Sequence, residues 1–176
     1  MKRLENLFFC LLLLLVVPVK LQSQNLSSAT VTGHVTAEII PVYTAAEIAQ
    51  LNFGRFSPGP DGGEIIISPD GNLSVLGSIY KGTGIHNAAG FYVSGENYSS
   101  VTITLPDQPV VIQHVSGTRT MIVKDWNSNP GIGMGAGVLQ NGSMTVYVGA
   151  TLEVGSVEDN PVGIYAGTYS ITFDFN

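Results

Sequence analysis

At 176 residues, with 13 acidic side chains against 7 basic ones, the chain is long enough for one domain and hardly for two. Its net charge of −6 repels phosphate backbones, which excludes nucleic acid as a partner. One cysteine, Cys10, excludes an internal disulfide.

The chain opens with Lys2 and Arg3, then an uncharged apolar run from Leu7 to Val19 broken only by Pro18. Lys20-Leu21-Gln22-Ser23 follows. A basic start, a short apolar stretch and a small residue at the cut describe a secretory signal peptide. The run is shorter than the ~20 residues of a membrane-spanning helix. Cleavage is expected after Ser23, although Leu21 fits the small-residue pattern poorly. The expected organisation is a signal over 1–23 and one domain over 24–176, with no transmembrane segment in the mature protein. Cys10 lies inside the run, not at its end as a lipid-modified cysteine would, so the mature chain has no thiol and must stand on its core alone. The cut removes three basic residues and one acidic one, which leaves a mature net charge of about −8.

From Ala29 to Ile40 the apolar or small residues Ala29, Val31, Gly33, Val35, Ala37 and Ile39 alternate with Thr30, Thr32, His34, Thr36 and Glu38. Period two predicts a strand with one apolar face, closed by Pro41. Thr44-Ala45-Ala46-Glu47 has the spacing of a capping box and predicts a helical turn or two. Leu51–Gly54 reads as a short strand, and Ser57–Gly63 (SPGPDGG) as a loop. Glu64–Ser68 and Leu73–Tyr80 flank the turn sequence Pro69-Asp70-Gly71-Asn72, which makes residues 64–80 a hairpin. Further strands are expected at Gly90–Ser94, Val101–Leu105, Val110–Val115, Thr120–Trp126 and Met144–Val154, the last interrupted or bulged at Gly149. Asn127–Gly137 reads as a loop.

The chain closes with another alternating segment, in which Tyr169, Ile171, Phe173 and Phe175 share one face. Fully burying four such side chains is worth about 6–12 kcal/mol, comparable with the whole stability of a domain at about 5–15 kcal/mol. That face therefore requires a cover, and the earlier apolar strands are expected to supply it. Nine or ten strands without a long helical period make the chain all-β, a sandwich before a barrel.

No catalytic or metal signature stands out. The alternating glycines of Gly131–Gly137 lack the spacing and the following helix of a dinucleotide fingerprint; a loop or glycine-rich strand explains them. Asp61 and Asp70 lie in turn sequences without the ligand series of a calcium loop. Glu158-Asp159-Asn160 is the better cation candidate, set against a solvated loop. His34, His86 and His114 are too far apart for a recognisable zinc motif, and no serine lies in a nucleophile elbow. Neither a cofactor nor an enzymatic activity is expected.

In their order along the chain, ATVTGHVTAEIIPV, LNFG at 51–54, PDG at 69–71, GFYVSGENYSSVTITLP at 90–106, MTVYVGATLEV at 144–154 and the closing AGTYSITFDF resemble the bacterial domain-of-unknown-function family DUF4402. This family is distantly similar to the spore-coat-U-like secreted pilin domains of chaperone–usher systems. The resemblance implies an immunoglobulin-like β-sandwich in the periplasm, at the outer surface or outside a Gram-negative cell, and no activity. The pilin comparison also implies a mode of self-association, or of association with other surface subunits, in which a strand from one subunit completes its neighbour. Val31, Gly33, Val35, Ala37 and Ile39 are the candidate donor positions, although the same pattern suits an ordinary first strand equally well. The expected function is that of a non-enzymatic secreted or cell-surface structural or adhesive protein, with a pilin-like subunit as the form that comparison implies. The alternative is an extracellular ligand- or glycan-binding module.

Overall fold

The structure, a computed structural model, describes residues 28–176, so the expected signal peptide lies outside the described residues. The chain divides between Glu38 and Ile39 into two units. In the first unit, residues 28–38 carry neither helix nor strand and are exposed throughout. The strand expected over Ala29–Ile40 does not form. Alternation decides which side chains share a face, but a strand also needs a neighbouring backbone to bond, and this stretch pairs with none among the described residues.

The second unit is all-β. Eleven strands are seen among the described residues: β1 (Thr44–Ala49), β2 (Phe56–Ile67), β3 (Leu73–Lys81), β4 (Ala89–Ser94), β5 (Ser100–Thr104), β6 (Val110–His114), β7 (Thr120–Asn129), β8 (Gly133–Val138), β9 (Ser143–Val154), β10 (Tyr165–Ala166) and β11 (Thr172–Phe175). Eight form one antiparallel sheet along β1-β4-β9-β7-β6-β10, in which β2 also pairs with β9 and with β3; β11-β5-β8 form the second sheet. No helix among the described residues is long and apolar enough to cross a membrane.

Strand β9 is the centre of the larger sheet. Its first half pairs with β4 and its second half with β2, while β7 runs along its other edge. The hand-over from β4 to β2 occurs at Gly149, where an added Cβ would lie 2.1 Å from the Ile67 carbonyl oxygen. Only glycine permits that backbone approach. The interruption expected at Gly149 is found instead in the neighbouring strand, where the β7 register shifts between Lys124 and Asn127. Asp125 takes a φ of 52° within that bulge.

Two apolar clusters form the core. In the first, Val101 and Ile103 of β5 pack with Ala89, Val93, Val146 and Val148 of the larger sheet, which makes a two-layer sandwich. In the second, Ile65, Met121, Val123, Ala150, Leu152 and Val154 all come from the larger sheet. Leu51 and Phe53, from the segment between β1 and β2, pack against this cluster together with Phe56, Leu73, Ile79, Val110, Ile112, Trp126 and Tyr165.

Three local expectations are overturned, the first being the loop over Asn127–Gly137, where β7 runs on to Asn129 and β8 takes Gly133–Val138. Thr44–Glu47 is strand, paired to Ser94–Phe91, and not a helical turn; pairing along a whole edge outweighs the local bonds of one capping box. The SPGPDGG segment lies inside β2, whose Phe56–Pro58 pairs with Lys81–Ile79 and whose Gly63–Ile67 pairs with Gly77–Leu73 around a bulge. Gly62 and Gly77 absorb the bulge with φ of 65° and 80°. Leu51–Gly54 contributes only a bridge from Asn52 to Asn87.

Candidate functional site

The sandwich is incomplete along one seam. On β1, Ala45 and Glu47 stand opposite Val93 and Phe91 of β4. Directly opposed residues share a face, and Val93 is fully buried in the core. Ala45 and Glu47 are nevertheless exposed, like every residue of β1 up to Ile48. Among the described residues no layer covers the core side of this strand. Across the gap, β11 pairs with β5, through Thr172↔Thr104 to Phe175↔Val101, and among the described residues its other edge carries no strand.

Tyr169, Ile171, Phe173 and Phe175 pack against the first core cluster but are only half-buried. Phe91 bridges them, with its ring centroid 6.4 Å from Tyr169 and 5.9 Å from Phe173. Tyr43 closes one end of the seam, 4.5 Å from the Phe175 ring, with its hydroxyl 3.4 Å from Ser99 Oγ. At the other end, Glu47 acts electrostatically on Tyr169. The edges of β1 and β11 thus run antiparallel across a strip of half-buried aromatic and aliphatic surface.

Inside the seam, Tyr169 Oη and Trp126 Nε1 are buried without a hydrogen-bond partner, and their rings lie 4.6 Å apart. Burial first, and the Glu47 carboxylate second, push the Tyr169 hydroxyl up to about 12 from an ordinary 10.0. The unfolded chain therefore releases this proton first as pH rises, and the folded state binds more protons between those values. Stability from this group is complete below pH 10.0 and falls as pH climbs towards about 12. Tyr169→Phe should remove that slope, as read by urea unfolding at about pH 9 and about pH 11. At neutral pH it should cost nothing or stabilise by about 1 kcal/mol, because it deletes an unsatisfied buried hydroxyl.

The candidate donor positions are in no strand and are exposed. Val31, Val35 and Ile39 are 90%, 96% and 98% exposed. Gly33 has no atom within 4 Å of where a Cβ would stand, and Ala37 is exposed as well. Ile40 and Val42 extend the uncovered apolar run to the start of β1.

The remaining candidates are occupied with structure. Among the described residues no group of three or more His, Cys, Asp or Glu side chains converges as a metal site. Asn160 is buried and spends its side chain on the Gly155 N–H at 2.6 Å and the Thr120 carbonyl at 2.8 Å. His114 accepts from the Ser116 N–H at 3.0 Å, which makes its Nε2 the donor to the Val162 carbonyl at 3.2 Å. Asp70 accepts hydrogen bonds from Ser68 and Asn72. That from Ser68 is the main cause holding its carboxyl below the usual carboxylate range. Lys124 lies 2.9 Å from both Glu64 and Glu153 across three strands. Hydrogen bonds to Glu153 and then Glu64 keep its ammonium above the ordinary lysine range. Gly133–Val138 is strand β8, the glycine-rich strand of the two readings.

The family model for the domain of unknown function DUF4402 matches residues 43–175. The chain belongs to this family. The DUF4402 match begins at Tyr43 and ends at Phe175, the two rings that close the seam. No curated protein and no solved structure matches the chain.

The seam was invisible in the sequence because it depends on which edges remain unpaired. Alternation marks the apolar faces of Ala29–Ile40 and Tyr169–Phe175 equally, yet one packs on a core and the other lies bare. The capping-box pattern also concealed β1, the strand that forms the second wall.

Proposed function

We propose that this DUF4402 protein is a non-enzymatic structural subunit, exported to the cell envelope or beyond, that self-associates by strand addition. Residues 31–39 of one copy enter the seam between β1 and β11 of the next. The observation that carries this reading is the exposure of Ala45 and Glu47 on a face that is otherwise core. The same chain holds an uncovered apolar run of alternating pattern. An inserted strand would bond the free edges of β1 and β11 and place alternate side chains over Phe91, Tyr169 and Phe173. Export is supported by the basic start and apolar run of residues 2–19.

Head-to-tail strand addition is a heterologous contact, which extends into open chains instead of closing as a dimer. Analytical ultracentrifugation of residues 24–176 over rising concentration should show a ladder of oligomers. A strictly monomeric protein at the highest concentration would exclude the assembly.

A second reading, a glycan-binding module, is favoured by exposed tyrosines on β4 and on the turn that follows it. Tyr92 is 44% and Tyr98 76% exposed, although Trp126 is half-buried in the core.

A further inference from the structure

A cleft of about 830 Å³ opens at the end of β1, a size ordinary for a small-molecule site. One wall is Tyr147. On β9, Val146 and Val148 are fully buried, so Tyr147 between them points to the outer face of the sheet, where it is 45% exposed. Its neighbour on β4 is Gly90 and its neighbour on β7 is Asn129. Gly90 puts no side chain of its own beside the phenol ring; Ile48 fills the space over that glycine, 3.2 Å from where a Cβ would stand, and the ring keeps its exposure on the remaining side.

The opposite wall is polar. Asn52 and Asn87 exchange both backbone hydrogen bonds at 3.0 Å, so their side chains start from one face, side by side. Backbone partners fix the two amides in opposite senses. Asn52 Oδ1 accepts from the Gly54 N–H at 2.8 Å, which leaves its Nδ2 as donor. Asn87 Nδ2 donates to the Gln50 carbonyl at 2.6 Å and to the Ala88 carbonyl at 3.2 Å, which leaves its Oδ1 as acceptor. One free donor next to one free acceptor matches two adjacent hydroxyl groups, of which one accepts and the other donates. The side chains of Gln50 and Asn129 add two more amides to the lining.

Charge selects among ligands. The lining holds no Lys or Arg and one carboxylate, Asp70. Its hydrogen bonds from Ser68 and Asn72 favour the ionised form. Phosphates and carboxylates are repelled, and a wholly apolar ligand would strand the amides without partners. An uncharged molecule with vicinal hydroxyls on its rim and a C–H face for the aromatic ring satisfies every wall.

We propose that this cleft binds a neutral saccharide, held by Asn52 and Asn87 through adjacent hydroxyls and covered on one ring face by Tyr147. The cleft lies beyond the end of β1 and takes in Tyr147 on the outer face of the larger sheet, and none of Phe91, Tyr169 and Phe173 lines it, so the inference stands independently of strand addition. The test is saturation-transfer NMR on residues 24–176, which reads the ligand's protons and tolerates an assembled protein. The probes are neutral oligosaccharides of glucose, galactose, mannose and N-acetylglucosamine, with a polyanionic uronic-acid oligomer as contrast. At least one neutral series should receive saturation and the uronic acid none. Tyr147→Ala should weaken binding about tenfold or more, while Tyr80→Ala, at an exposed tyrosine outside the cleft, leaves it unchanged. Absence of transfer to every neutral probe overturns the proposal, as does a Tyr147→Ala protein that folds and binds as the parent does.

Discussion

Deletion of Tyr169–Asn176 is expected to abolish cooperative folding. The segment carries β11, whose ladder to β5 runs from Thr172↔Thr104 to Phe175↔Val101 and is continued by reciprocal backbone bonds between Asn176 and Ser100. Its four apolar side chains pack on Ala89, Val93, Val101, Ile103, Val146 and Val148. Because they are half-buried, their hydrophobic contribution is about half the full-burial figure, roughly 3–6 kcal/mol. The larger effect comes from what they cover. Val101 and Ile103 are 0% and 1% exposed, and without β11 the second sheet is left with β5 and β8 alone. A two-stranded sheet cannot hold a face buried by itself. Against a total stability of about 5–15 kcal/mol, these losses remove the folded state. Calorimetry or circular dichroism melting of the truncated chain should show no sigmoidal transition. An unchanged transition would contradict the role given to this strand.

The converse is expected at the other end of the chain. The double substitution Val35→Asp, Ile39→Asp should leave the melting temperature of the monomer unchanged, because both side chains are almost fully exposed and exposed positions contribute within about 0.5 kcal/mol. It should nevertheless abolish oligomer formation. Each donor residue buried in a neighbour's seam is worth about 1.5–3 kcal/mol, and each introduced carboxylate would enter an apolar strip that already faces Glu47. Two such changes amount to several kcal/mol, or more than a thousandfold in association. Sedimentation read beside thermal melting separates the effects. Loss of both folding and assembly would place residues 31–39 in the monomer's own fold, and retained assembly would remove them from the interface.

What could be read from the sequence follows from the range of the forces involved. Period-two alternation and turn chemistry are local, so the hairpin through Pro69–Asn72, the strands around Tyr92, Ile103, Val111, Met121 and Val146, and the all-β class are legible from neighbouring residues. The face shared by Tyr169, Ile171, Phe173 and Phe175 is legible in the same way. Hydrogen-bond partners in a sheet, by contrast, come from far along the chain. Only the tertiary structure decides that Thr44–Ala49 pairs with β4 in spite of its capping-box spacing, that SPGPDGG bulges within β2 instead of looping away, and that the bulge opposite Gly149 sits in β7. It likewise decides that Asn52 and Asn87, 35 positions apart in the chain, stand side by side with opposed amides. The pattern of residues 29–40 determined an apolar face; that it pairs with no strand among the described residues, while β1 and β11 keep open edges, is decided only by the tertiary structure, because backbone pairing joins residues far apart in the chain.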